Sequence, residues 1–218
     1  AIKLSIGGAG DYWDDADRYI RNHFAEIQIL RTDWVDRMIE NLPQTPVDVD
    51  ASGDRARGFE TLNPSGRRSI GAVCGVTRPN DISLRFPFDR GFVLGCCNIN
   101  FSRAIPYVWD NMLRFDEGKL RINLLLNRAS EWADIDSYIP YEGRVDVKIK
   151  QACSLSVRIP EWVTEDETEC TVNGQTRALG WDGRYALAGD VMLDDSVTLT
   201  FPISERTVKE TIGYPFAV

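Results

Sequence analysis

Val145-Asp146-Val147-Lys148-Ile149 and, one turn later, Leu155-Ser156-Val157-Arg158-Ile159 are the stretches whose reading decides the fold. Apolar side chains occupy every second position, which at the two-residue period of a strand buries one face and wets the other. Cys170-Thr171-Val172 and Val197-Thr198-Leu199-Thr200-Phe201 repeat the alternation, and Lys119-Leu120-Arg121-Ile122-Asn123-Leu124 opens it after the turn Asp116-Glu117-Gly118. Asn173-Gly174, with Val172 before it and Arg177 and Leu179 after it, is a hairpin signal, because the tightest hairpin turns need positive φ at both central residues. Short strands at regular spacing predict an all-β, jelly-roll-like sandwich over 118–218.

Upstream the period is helical. Trp13, Ala16, Ile20, Phe24, Ile27 and Leu30 step by three or four along one face, with Asp11 as the expected N-cap. Asp14, Asp15 and Asp17 crowd the first turns, where carboxylates complement the helix dipole, and are read that way rather than as a catalytic acid pair. Ala1, Ile2 and Leu4 read as the last turn of an apolar helix closed by Gly7 and Gly8. A helix is expected from Asp33 to Leu42, ended by Pro43 and Pro46, and another from Asn100 to Phe115. The polar chain between Pro43 and Asn80 is either a loop that shapes a site, with Arg55, Arg57, Arg67 and Arg68 facing polar ligands, or a solvated connection. The fold class is therefore α+β and multidomain, a helical part over 1–117 followed by the sandwich. So few helices cannot make a core alone, so the helical part reads as the tail of a larger helical domain. Trp13, Phe24, Trp34 and Met38 are expected to stand exposed there, and either to drive self-association, as in a homo-oligomer, or to leave the helical half molten beside a folded sandwich.

Over 218 residues the formal net charge is -8 and 43% of the chain is hydrophobic, so a sizeable core is affordable and nucleic acid or an anionic membrane is a poor partner. No apolar run approaches the roughly 20 residues of a bilayer span. The five cysteines are odd in number and show no disulfide framework, which favours a reducing, cytoplasmic compartment. Dinucleotide and phosphate loops, a zincin motif and a serine-nucleophile elbow are all absent.

Gly95-Cys96-Cys97-Asn98-Ile99-Asn100 is the stretch with chemical potential. Phe101, Ala104, Ile105, Val108, Met112 and Phe115 follow at helical spacing, so the pair sits at or just before a helix start, with Asn98 and Asn100 as candidate caps. Free N–H groups at such an end favour thiolate, the form that attacks carbon and binds metal. Two readings stand: a reactive or metal-binding pair, or two small apolar core residues. Zinc takes four ligands, and His23 and Cys74 are the in-chain candidates beside the pair, neither at a diagnostic spacing. Cys153 and Cys170 fall in or beside strands and read as core.

These residues resemble glycoside hydrolase family 127, the β-L-arabinofuranosidases and their relatives. The resemblance rests on Gly95-Cys96-Cys97 with Asn100, the strand from Leu120 to Leu126, Leu155-Ser156-Val157-Arg158-Ile159-Pro160-Glu161-Trp162, Val172-Asn173-Gly174, Gly189-Asp190, and the helix from Gly10 to Tyr19. It implies the C-terminal helices of an (α/α)6 barrel braced by the β-sandwich, a carbohydrate substrate, and zinc held by one glutamate and three cysteines. Carried over, Cys96 is the nucleophile of a retaining mechanism and, with Cys97, a zinc ligand. The family's Glu-x-Cys element, general acid/base and substrate-binding histidines precede the helix matching Tyr12 to Leu30, so the resemblance puts them in a barrel segment upstream of residue 1. Asn98-Ile99 departs from the family's usual residues after the pair, and the family's tyrosine between its two cysteine elements has no counterpart between Tyr19 and Tyr107. The isolated chain is accordingly expected to bind zinc weakly and hydrolyse nothing. The alternative function is a non-catalytic carbohydrate-binding or scaffold module presenting Trp162 and Trp181 to sugar.

Overall fold

The structure is a computed structural model that describes residues 1–25, 27, 28, 30, 40, 70–73, 95–205 and 207. It divides into two compact units, Ala1–Asp110 and Asn111–Val218. The helix expected over Asp33 to Leu42, except Glu40, and the arginines of the 43–80 stretch lie outside the described residues.

In the first unit, α1 (Ile2–Ile6) is closed by Gly7, and Gly8 follows at a φ of 72°, as the glycine pair suggests. α2 (Trp13–Arg18) has Tyr12 as its N-cap, although Asp11 Oδ1 still accepts the Trp13 N–H at 3.2 Å. The helix then widens to a π-helical segment, Tyr19–Phe24, and has ended before Leu30, which is 70% exposed rather than part of the buried stripe. Trp13, expected to be exposed, is buried together with Ala16 and Ile27. Asp17 accepts Arg21 Nε at 2.9 Å and Asp15 pairs with Arg18 at 3.2 Å, in keeping with helix-surface roles.

The helix expected from Asn100 to Phe115 is two helices, α3 (Gly95–Ser102) and α4 (Ala104–Asn111). Pro106 explains the break: it has no N–H to donate to the Ser102 carbonyl and its ring crowds that carbonyl, but it is tolerated within a first turn, so one helix ends at Ser102 and a new one starts at Ala104. Strand β1 (Leu113–Asp116) takes in the end of the expected helix, through Phe115, and Asp116 of the expected turn, and pairs antiparallel with β2 (Lys119–Ile122) through a turn in which Glu117 and Gly118 both have positive φ.

The second unit carries two sheets. β3 (Arg128–Ala129), β4 (Ala133–Ser137), β5 (Arg144–Ile149), β6 (Cys153–Arg158), β7 (Glu169–Val172), β8 (Gln175–Thr176), β9 (Gly180–Asp182), β10 (Tyr185–Val191) and β11 (Ser196–Thr200) complete the set. One sheet runs β1-β2-β6-β10-β9 and the other β3-β4-β5-β11-β7-β8, with β2 and β6 parallel. Inward residues of both, including Leu120, Ile122, Val145, Val147, Val157 and Leu199, form one buried core. Cys153 and Cys170 are buried in it, as their strand positions imply. The Asn173-Gly174 hairpin joins β7 to β8 with φ values of 51° and 77°. Gly189, at φ 76°, sits where β10 shifts register against β6, a bulge that any side chain would strain.

Two polar arrangements are built into this unit. Tyr185 donates its hydroxyl to Asn123 Oδ1 at 2.7 Å, Asn123 Nδ2 donates to the Asn111 carbonyl at 2.8 Å, and both side chains are buried. Tyr185→Phe should therefore lower stability by about 1–3 kcal/mol, the cost of leaving a buried acceptor without its donor, read from urea unfolding. At Asp146 burial pushes the carboxyl up, but Arg144, bonded through Nε at 3.1 Å and Nη2 at 2.6 Å, and the Thr198 hydroxyl at 2.7 Å outweigh it and hold the group below its ordinary value. A carboxyl depressed in the native state stabilises above its unfolded value, near pH 4, and that contribution fades as pH falls through the native value. The urea midpoint should thus fall below about pH 4, and Asp146→Asn should flatten this acid limb while lowering the midpoint at pH 7.

The packing of Gly143 gives a third expectation. A Cβ there would run into the main-chain carbonyl of Phe201, whose own N–H donates to the Gly143 carbonyl at 2.8 Å. Backbone cannot step aside as a flexible side chain can. Gly143→Ala should cost about 3 kcal/mol, at the upper end of overpacking effects, and thermal denaturation would measure it.

Candidate active site

The cysteine pair occupies the first turn of α3, with Cys96 exposed, Cys97 half-buried and their sulfurs 4.0 Å apart. The helix begins at Gly95, so neither Asn98 nor Asn100 caps it. Asn98 instead reads the main chain of Val73 with both ends of its amide: Oδ1 accepts the Val73 N–H at 2.8 Å and Nδ2 donates to its carbonyl at 3.3 Å. Val73 is buried and bridges to Gln28, whose Nε2 donates to the Phe24 carbonyl at 3.2 Å. This relay ties α3 to the π-helical segment, and the stacked rings of Phe24 and Phe101, 3.6 Å between centroids, reinforce it. Asn100 Nδ2 donates to the Cys96 carbonyl at 2.9 Å, stiffening the turn that carries the thiols.

The elements line an open cavity of about 680 Å³ within the first unit. Lys3, Tyr19, His23, Cys96, Cys97, Asn100 and Tyr107 bring polar groups to it, and apolar residues, among them Ile2, Ile20, Phe24, Ile27, Phe101 and Val108, line the remainder. That composition, an apolar pocket with a few convergent polar groups, is the usual form of a small-molecule site. His23, on sequence no more than a lone histidine, thus shares a cavity with the pair. Its neighbourhood was not legible, because the two stretches are far apart in the chain and the joining contacts are made by an asparagine and a main-chain segment.

The sulfur separation suits a shared metal. Two thiolates on one tetrahedral zinc, each at about 2.3 Å, stand about 3.8 Å apart. Among the described residues no group of three or more His, Cys, Asp or Glu side chains is placed to hold a metal ion, so the described donors fit two corners of the tetrahedron. Cys74 lies outside the described residues. In the sandwich, burial pushes the Cys153 and Cys170 thiols up. Trp162 meets Phe201 edge to face at 5.8 Å, and Trp181 packs partly against the core. Among the described residues no helix is long and apolar enough to cross a membrane.

No family model matches the chain, and no curated protein does. In structure it is similar to a GH127 β-L-arabinofuranosidase from Geobacillus stearothermophilus T6, at 22% identity and a TM-score of 0.44 over 52% of this chain and 20% of that one. It is also similar to a second GH127 β-arabinofuranosidase, at 22% identity and a TM-score of 0.43 over 51% and 22% of the two chains. A third, a glycoside hydrolase, aligns at 23% identity and a TM-score of 0.42 over 55% and 24%. The chain spans about a fifth to a quarter of the length of these structures.

The contrast among thiols yields a direct test. Iodoacetamide at neutral pH should modify Cys96 first and Cys97 next, with Cys153 and Cys170 protected until denaturant is added, because alkylation needs both access and thiolate. Peptide mass spectrometry over a time course reads the order.

Proposed function

We propose that this chain is the C-terminal part of a retaining, zinc-dependent, cysteine-nucleophile glycoside hydrolase acting on β-L-arabinofuranosides or related plant-type glycans. The observation that carries the reading is the pair of accessible thiols, 4.0 Å apart on a helix's first turn and lining a cavity with His23 and Asn100. The sequence resemblance assigns their roles. Cys96 and Cys97 would hold zinc with a glutamate and a third cysteine from the upstream barrel segment, and zinc would supply a sulfur kept as thiolate at neutral pH.

The Cys96 sulfur attacks the anomeric carbon, so that a C–S bond forms as the glycosidic C–O bond breaks and the leaving oxygen takes a proton from an acid in the upstream segment. Water, giving a proton to the upstream group that lost one in the first step, then displaces the sulfur from the same carbon as thiolate, and two inversions give retention. In this reading Tyr19, His23 and Asn100 meet sugar hydroxyls, while the apolar side chains of the wall meet the C–H surface of the ring. The odd cysteine count fits a cytoplasmic setting for such a reactive thiol.

The test uses the chain joined to its upstream segment. Cys96→Ser should lower turnover of an aryl β-L-arabinofuranoside on the order of a thousandfold or more at any zinc concentration, since a hydroxyl is a far poorer nucleophile than a thiolate. Cys97→Ser should loosen the metal first and recover part of its activity at high zinc, because a ligand defect acts through occupancy. The 218 residues alone should turn over nothing and hold zinc weakly. Equal, zinc-insensitive, partial losses in the two variants would refute the nucleophile assignment.

A further inference from the structure

The two sheets of the sandwich end in very short strands, β8 in one and β9 in the other, joined directly by 177–179. Beside this join lies a cleft of about 380 Å³, far in sequence from the cysteine pair. Its walls include Trp181, Arg177, Thr176 and the carboxylates of Glu165, Asp166 and Glu169. Each wall is held from behind. Trp181 packs partly on the core, and Arg177 Nη1 donates to the carbonyls of Ala188 at 3.0 Å and Asp190 at 3.4 Å. The turn bearing Glu165 and Asp166 is fixed by a capping box, in which Glu167 Oε2 accepts the Thr164 N–H at 3.0 Å and its hydroxyl at 2.7 Å.

We propose that this cleft is a second carbohydrate-binding site, independent of the thiol pair, that takes one neutral sugar unit of a glycan chain. A sugar ring offers a C–H face and a rim of hydroxyls, and the cleft offers the matching surfaces: an indole for the first, carboxylates and a threonine as acceptors for the second, a guanidinium as donor. Three carboxylates against one guanidinium repel anions, so uronic acid and sulfated units are excluded and neutral pentoses or hexoses are selected. Trp162 is not part of it, being engaged edge-on with Phe201.

Titration calorimetry on the 218-residue chain, with a linear arabino-oligosaccharide and a cello-oligosaccharide as neutral probes, tests the site. At least one should bind with a Kd in the millimolar range, about 3–4 kcal/mol of affinity, as expected for one open subsite. Trp181→Ala should weaken binding tenfold or more, and so should Glu169→Lys, a change at an exposed strand position that leaves the core untouched. The Cys96→Ser, Cys97→Ser double variant should bind as well as the parent, which separates this site from the proposed catalytic one. Should Trp181→Ala fail to fold, Glu169→Lys decides. The proposal is overturned by absence of binding to both neutral probes, by binding that Glu169→Lys leaves unchanged, or by preference for oligogalacturonate or for calcium ion.

Discussion

The sandwich rests on one constraint: inward side chains from two sheets must fill the same space. Val145, Val147 and Ile149 of β5, Leu155 and Val157 of β6, and Val197 and Leu199 of β11 are each no more than 1% exposed. Burying one such side chain contributes about 1.5–3 kcal/mol, whereas an exposed ion pair such as Lys148 with Asp194 contributes at most about 1 kcal/mol. The alternation therefore outweighs the surface charges in fixing register, since a slip of one residue would turn every inward side chain outward. Asn123 is a polar exception within this apolar layer. It is tolerated because its amide is paired at both ends, to Tyr185 and to the Asn111 carbonyl.

The same constraint explains which strands can be read from the sequence. β5, β7 and β11 alternate cleanly and β6 does so as far as Val157, and the Asn173-Gly174 and Glu117-Gly118 turns supply the positive φ that the β7–β8 and β1–β2 hairpins need. β10 is harder to see because the bulge between Leu187 and Gly189 shifts its pairing, so its burial does not follow a strict two-residue period. β1 is mistaken for helix because Val108, Met112 and Phe115 also satisfy a three-to-four spacing. Pairing of Leu113 with Ile122 and of Phe115 with Leu120 overrides that local preference.

At the candidate site the reactive group is legible and its surroundings are not. Two adjacent cysteines before a helical run announce themselves by residue type alone. The partner that holds them is Asn98, which on sequence is a helix cap and in the structure pairs with the Val73 main chain, a contact between residues 25 apart. Nothing in an isolated asparagine distinguishes a cap from a long-range amide clamp, because both use the same short polar side chain.

The π-helical segment gives this arrangement its geometry. A wider turn departs from the 3.6-residue period on which the Trp13-to-Leu30 stripe was drawn, and such turns recur where helices carry functional side chains. Trp13 and Ala16 before the segment and Ile27 after it are buried, while Tyr19, His23 and Phe24 within it join Ala16 and Ile27 in lining the cavity that holds the thiols. The relay from Phe24 through Gln28 and Val73 to Asn98 then links that segment to the turn carrying Cys96 and Cys97. Each link of that relay ends on main chain, whereas Asn100 and the stacked Phe24 and Phe101 both line the cavity and brace the turn, so substituting any of these three would alter the wall and loosen the frame together.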